Sequence, residues 1–254
     1  MSVLVFLQAR MSSSRLPGKV LLDLKGKPML IRQIERIHKA HSIDGLVVLT
    51  SKSPSDDAIY EVCKAYSIEC FRGDLDNVLN RFYTASLYYK PEHIVRVTGD
   101  CPLLDWTVLD QVVNKHLSDP HDYTSNTLEP TYPDGLDVEI FTKDCLDKMH
   151  DKAESATQKE HVTYYCYTHS DDFTLQNVTN PEGDKSTYRW TVDNVEDFAL
   201  VESVYEGLYS INNDFIAKDI EEYLLKNPDV ARLNQHINRN EGLLGEVIEG
   251  RPYE

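Results

Sequence analysis

No apolar run in this chain of 254 residues approaches the length that crosses a membrane. Glycine is sparse, at 11 residues, and nowhere forms Gly-x-Gly-x-x-Gly, so a dinucleotide turn has no support. The five cysteines (Cys63, Cys70, Cys101, Cys145 and Cys166) make neither a Cys-x-x-Cys pair nor a Cys/His zinc spacing. An odd count in a chain of this size reads as reduced thiols, so a cytoplasmic location is expected. The first apolar run is short and polar residues follow it at once, so no signal peptide is expected. Basic residues are in deficit: 26 Lys and Arg against 42 Asp and Glu give a net charge of −16. A nucleic acid polymer needs a basic face, and an anionic membrane surface needs the same. Neither is expected as a partner.

The positive charge that does exist is concentrated. Between Met1 and Arg32 stand Arg10, Arg15, Lys19, Lys25, Lys27 and Arg32 against Asp23 alone. Such a segment in an acidic protein points to a local anionic ligand, although Lys25, Lys27 and Arg32 read as solvated. The apolar run Val3 to Leu7 reads as a buried parallel strand. It enters a loop of small, hydroxylated and cationic residues, Gln8 to Lys19, of the kind that brings backbone N–H groups close to phosphate. Ser13-Ser14-Arg15-Leu16-Pro17-Gly18-Lys19-Val20 resembles a P-loop but lacks its first glycine and the hydroxyl residue after the lysine. An ATPase reading therefore fails. A triphosphate cradle and an ordinary polar loop both remain open at this point.

The rest of the first half repeats strand, loop and helix. Strands are expected at Leu46–Thr50, Ile68–Phe71 and Ile94–Thr98. Helices are expected from Pro28 to His41, from an N-terminus at Ser53–Asp57 to Tyr66, from Asp76 to Tyr89 and from Trp106 to His116. Four such units call for a parallel sheet covered by helices on both faces, with the strand-end loops on one edge. The rhythm then changes. Tyr123 to Tyr132 is polar and irregular. Gly135–Phe141, Phe173–Val178 and Tyr188–Asp193 look extended. Helices are expected at 143–150, 158–169, 195–209 and 216–225. The stretch from Asn227 to Glu254 is weakly patterned and reads as a tail to a single domain over residues 1–226.

Two acids close extended segments: Asp100 after Thr98-Gly99, and Asp193 after Trp190-Thr191-Val192. If both strands lie in the main sheet, their carboxylates meet at the edge where the first loop sits. Two hard oxygen ligands facing a polyphosphate are what Mg2+ needs. Helix capping is the competing role for each. Asp74-Leu75-Asp76 is an Asp-x-Asp before a helix, open to metal binding or to capping. Asp134, Asp137 and Glu139 surround a turn that can bond sugar hydroxyls or simply be solvated. His161 can contact a substrate or be structural.

Taken together, Gln8-Ala9-Arg10-x-x-Ser13-x-Arg15-Leu16-Pro17-Gly18-Lys19, Arg72-Gly73, Gly99-Asp100-Cys101-Pro102, Glu160-His161-Val162 and Thr191-Val192-Asp193 resemble the spore coat polysaccharide biosynthesis cytidylyltransferases. That group is similar to the CMP-Kdo and CMP-acylneuraminate synthetases. The resemblance runs from Met1 to about Leu225. It implies a three-layer, Rossmann-like α/β nucleotidyltransferase fold with a mainly parallel sheet. A small protruding β/α subdomain for substrate and dimerisation, within residues 123–187, and a homodimer are implied too. The implied reaction transfers CMP from CTP to a sugar, of acidic or ulosonic type, with release of pyrophosphate. By the same resemblance Arg10, Ser13 and Lys19 hold the triphosphate, with Ala9, Arg15, Arg72 and Asp74 also on the nucleotide side. Asp100 and Asp193 hold Mg2+, while Asp134, Asp137, Glu139, His161 and Arg189 face the sugar. Lys19, Arg10 and Asp100 are the catalytic set. Two other classes compete: a glycosyltransferase using a nucleotide-sugar through Asp74-Leu75-Asp76, and a nucleotide-binding module without catalysis.

Overall fold

The computed structural model describes residues 2–239. Its frame is one sheet of seven strands in the order β3-β2-β1-β4-β6-β5-β7. The strands are β1 (Val3–Gln8), β2 (Gly45–Ser51), β3 (Cys70–Gly73), β4 (His93–Thr98), β5 (Tyr123–Ser125), β6 (Glu139–Thr142) and β7 (Leu175–Asn177). β1 to β4 run parallel, whereas β6 is antiparallel to both β4 and β5. The fold is therefore α/β with a mainly parallel sheet, as expected.

Both faces of the sheet are covered, which is why β1 is an apolar run rather than an alternation. Val5 and Leu7 pack with Leu30 and Ile34 of helix α1 (Met29–Ile37), and with Val112 of a further helix, Trp106–Ser118. Phe6 turns the other way, edge-on to Phe82, toward Leu79 and Leu146. A third cluster gathers Leu103, Trp190, Val201 and Phe215 beneath the C-terminal helices.

The helices follow the expected rhythm closely. After α1 come α2 (Asp57–Ala65), α3 (Val78–Tyr89), α4 (Trp106–Ser118) and α5 (Lys143–Lys152). The helix expected over 158–169 is two short ones, α6 (Ala156–Glu160) and α7 (Tyr164–Thr168), with His161 at the break. Then come α8 (Val195–Leu208), α9 (Ala217–Lys226) and a short α10 (Pro228–Ala231).

Three expectations in the second half need correction. The polar stretch after Tyr123 contains a strand, β5, whose residues are all buried between β6 and β7. The strand expected over Gly135–Phe141 begins only at Glu139. The strand expected over Tyr188–Asp193 is absent: a single bridge joins Asp134 to Arg189. Trp190 N and Thr191 N both donate to the Asp134 carbonyl, at 2.6 and 3.0 Å, which bends the chain out of any ladder. Gly135 makes that approach possible. Its φ is +108°, and a Cβ there would lie 2.6 Å from Thr191 N.

Candidate active site

β1 neighbours both β2 and β4, so successive crossovers leave it in opposite directions, and a crevice opens beyond the strand ends at that point. Gln8 pairs with Thr98 in the register, and Gly99 N donates to Gln8 O at 2.8 Å. The loops after β1 and β4 are thereby side by side. Because β6 is antiparallel to β4, the chain entering β6 brings Asp134 and Asp137 to the same edge. The result is a cleft of about 630 Å3 lined by the first loop, the Asp100 segment and residues 134, 137, 160, 161, 189, 191 and 193.

The first loop is folded by its own backbone. Gly18 N and Ser13 N both donate to Met11 O, at 2.9 and 3.0 Å. Met11 N is held by Asp56 Oδ1 at 2.8 Å, and Asp56 is fully buried. Gly18 sits at φ +73°, and a single 3-10 turn, Lys19–Leu21, follows it. That turn aims Lys19 inward, where it is 7% exposed.

Lys19 Nζ donates to Asp100 Oδ2 at 2.9 Å, to Asp193 Oδ1 at 2.8 Å and to Val192 O at 2.6 Å. The two acids expected at one edge do converge, although Asp193 comes from a bent segment and not from a strand. Val192 N donates to Asp100 O at 2.8 Å, which ties the two segments together directly. Burial works against the lysine's charge, but Asp100 and Asp193 raise its pKa above the ordinary value. Burial also works against the Asp100 carboxylate; Lys19 and the Thr98 hydroxyl outweigh it and hold the carboxyl at about 2.

Asp193 is not the cap of α8. Asn194 holds that position, and the fully buried Asp197 of the first turn accepts from Asp193 N at 2.9 Å and Asn194 N at 3.0 Å. Asp193 is thus left facing the cleft, with Arg15 Nη2 at 3.0 Å and Arg189 Nη2 at 2.8 Å on its Oδ2. Arg189 spans three carboxylates. Its Nε bonds Asp197, its Nη1 bonds Asp134 and its Nη2 reaches Asp193. Its guanidinium is a pillar between the acids. Burial and the neighbouring Asp137 push the Asp134 carboxyl upward against the pull of Arg239 and Arg189.

Ala9, Arg10, Ser13, Arg15, Lys19, Asp100, Asp134, Asp137, His161, Arg189 and Asp193 all line the cleft. Arg10 projects with half its side chain exposed, and its pair with Glu160 at 3.3 Å is exposed at both ends. Such a pair is weak and exchanges readily for a phosphate. The structure does not bring Arg72, Asp74 or Glu139 into the lining. Arg72 is engaged with Ser51 O, Ser53 O and Asp57. Asp74 bonds Asn80 at the start of α3. Glu139 is buried among Arg96, Tyr123 and Thr163.

Sequence reasoning missed four contributors. Asp56 and Asp197 look like helix-start acids, yet each anchors a cleft loop. Asn234 and Arg239 come from the weakly patterned tail. Asn234 Nδ2 donates to Arg189 O at 2.9 Å and to Asp197 Oδ1 at 2.8 Å, and Arg239 Nη2 reaches Asp137 at 2.6 Å. The remainder of that tail, residues 240–254, lies outside the described residues. The spacing of Asn194 and Asp197 was the one available signal, since Asn followed three residues later by an acid marks a helix start.

Asp100 and Asp193 share one ammonium within 3 Å, so their oxygens are close enough to share another cation. Among the described residues no group of three or more His, Cys, Asp or Glu is arranged to hold a metal. Two carboxylates alone would leave the rest of such an ion's shell to water and to ligand oxygens.

The fold is that of the Rossmann-like nucleotidyltransferases. A family model described as cytidylyltransferase matches residues 4–223, and this chain belongs to that family. It is 32% identical to the spore coat polysaccharide biosynthesis protein SpsF of Bacillus subtilis, over 90% of this chain and 96% of that protein. A cytidylyltransferase structure from Leptospira borgpetersenii superposes with a TM-score of 0.88 at 32% identity, covering 94% of this chain and all of the other. A CMP:2-keto-3-deoxy-manno-octonic acid synthetase complexed with CTP superposes at 0.62 and 17% identity, over 82% and 99% of the two chains, a likeness of fold.

Proposed function

We propose that this protein transfers CMP from CTP to a hydroxyl of a sugar, with release of pyrophosphate. The sugar oxygen bonds to the α-phosphorus and gives up its proton to solvent, and the bond from the α-phosphorus to the bridging oxygen breaks with its electron pair going to pyrophosphate. The observation that carries the reading is the convergence of Arg10, Arg15 and Lys19 with Asp100 and Asp193 in one cleft. Arg10 and the Ser13 loop receive the triphosphate. Lys19 neutralises charge on the phosphate oxygens and on the departing pyrophosphate. Asp100 and Asp193 hold Mg2+, which when bound supplies the remaining positive charge. Asp134 and Asp137 accept hydrogen bonds from sugar hydroxyls, with His161 beside them. A relative described as a 3-deoxy-manno-octulosonate cytidylyltransferase, from Acinetobacter baumannii, is 29% identical over 57% of this chain, which supports an acidic sugar as acceptor. Arg189 is engaged by three acids, so an acceptor carboxylate would have to displace one of them. A cytoplasmic homodimer serving surface polysaccharide synthesis completes the reading.

The test is pyrophosphate release with Mg2+ and a panel of sugar acids. Turnover is expected with CTP and not with ATP. Asp100→Asn keeps the carboxyl's shape and is expected to lower kcat by at least 100-fold with an unchanged circular dichroism spectrum. Full activity in that variant would sink the assignment. Asp74 lies outside the cleft lining, which weighs against a glycosyltransferase working through Asp74-Leu75-Asp76.

A further inference from the structure

A second cavity, of about 230 Å3, lies against α1 and the end of α8 and shares no lining residue with the cleft. Arg32, Arg36 and Lys39 line it, against the single carboxylate of Glu35. Glu35 is itself engaged by Lys27 and Arg32. In a chain of net charge −16 this is a local reversal of sign.

Arg36 is 2% exposed. Its Nε donates to Leu104 O at 2.7 Å and its Nη2 to Phe215 O at 3.0 Å, but its Nη1 has no hydrogen-bond partner. Carbonyls and the rings of Phe215 and Trp106 surround the guanidinium, and among the described residues no carboxylate lies within ion-pairing distance. Asp105 and Asp214 act on this buried cation only from beyond ion-pairing distance, so it is incompletely satisfied. Lys39 is held by Asp214, whose side chain is 63% exposed, so that pair exchanges at little cost. Tyr209 Oη accepts from Arg32 Nη1 at 2.7 Å, which leaves its proton available to a further acceptor.

We propose that this cavity binds a small oxyanion of the phosphate class, held by Arg36, Lys39 and the Tyr209 hydroxyl. Its volume falls below the roughly 300–1,000 Å3 usual for pockets that take larger organic ligands, so it suits an ion and not a nucleotide. The cavity walls also reach the active cleft through the backbone. Tyr205 Oη donates to Pro102 O at 2.9 Å, while Arg36 holds Leu103 O and Leu104 O. Three successive carbonyls just beyond Asp100 therefore hang on residues that line the cavity. An anion that fixes Arg36 steadies the segment carrying Asp100.

The experiment titrates inorganic phosphate into the full chain by calorimetry, with Arg10→Ala as background so that the cleft's own phosphate affinity is weakened. One saturable site of about millimolar affinity is expected, weakened at least 10-fold by Lys39→Gln and by Tyr209→Phe. Both positions are partly exposed, so these variants are expected to fold; Arg36→Lys adds a third arm that keeps the charge. Pyrophosphate, a sugar phosphate and a dicarboxylate in separate titrations distinguish the source of the anion. Beyond direct competition in the cleft, which Lys39→Gln retains, saturating the cavity is expected to raise CTP affinity about 5-fold. Phosphate binding that is absent in Arg10→Ala, or indifferent to Lys39→Gln and Tyr209→Phe, overturns the proposal.

Discussion

Lys19 holds the two carboxylates that a divalent cation would use, and one ammonium and one metal ion cannot occupy the same oxygens. Nucleotide-free protein is therefore expected to bind Mn2+ weakly, and Lys19→Met to bind it at least 10-fold more tightly, as read by calorimetry. Equal affinity in the two proteins would remove the competition. The same contact sets a pH dependence. The Asp100 carboxyl lies at about 2 in the folded chain, against an ordinary value of about 3.9 when unfolded. A depressed acid contributes stability that is complete above the unfolded value and is lost as pH falls through the folded one, here between about 4 and 2. Lys19→Met removes the main opposing cation. Its unfolding free energy at pH 7 is expected to drop by about 2 kcal/mol, with a smaller loss at pH 3, in urea titrations. The charges themselves were legible in the sequence: Arg10, Lys19 and Asp100 stand out by type and by position after buried strands. Asp193 was legible too, but its support was not. Asn194 and Asp197 together close the helix start that seemed to compete for Asp193, and a sequence does not say which of two nearby acids turns inward.

Among the elements, the parallel half of the sheet could be read from composition because each strand is covered on both faces and is apolar throughout. β5 could not. Tyr123, Thr124 and Ser125 are polar residues buried by pairing on both sides, and no periodicity marks that. Residues 188–193 failed for the opposite reason. Their β-branched and aromatic character suits a strand, but the double acceptance at Asp134 O bends the chain and lets Arg189 span three acids. Gly135 permits that crossing. Gly135→Ala is expected to cost more than about 2 kcal/mol, because a side chain both strains the backbone and meets Thr191. It is also expected to weaken CTP binding by displacing Asp193. Thermal melting and nucleotide titration check the two effects, and a variant as stable as the parent would show that the backbones separate without cost.

On the scale of the whole molecule, Asn234 and Arg239 of the weakly patterned tail hold the site from behind. Asn234 is 2% exposed and joins the Arg189 carbonyl to Asp197. Asn234→Ala leaves a buried carbonyl and a carboxylate short of one donor, at a cost of about 1–3 kcal/mol. A lowered melting temperature is expected, together with weaker nucleotide binding; an effect on neither would reduce the tail to a covering. Nothing in the tail's pattern announced this role, since an isolated asparagine and arginine carry no periodic signal.

The contacts of Lys19 also bear on the order in which the protein becomes competent. Its partners lie 81 and 174 residues further along the chain. A nascent chain that has emerged through β4 can close the four parallel strands and already presents Asp100 to Lys19. It still lacks Asp193, Arg189 and the tail that steadies them. The frame is thus available before the complete site, which waits on residues 189–239. A truncated product that folds is accordingly expected to be a soluble, idle shell.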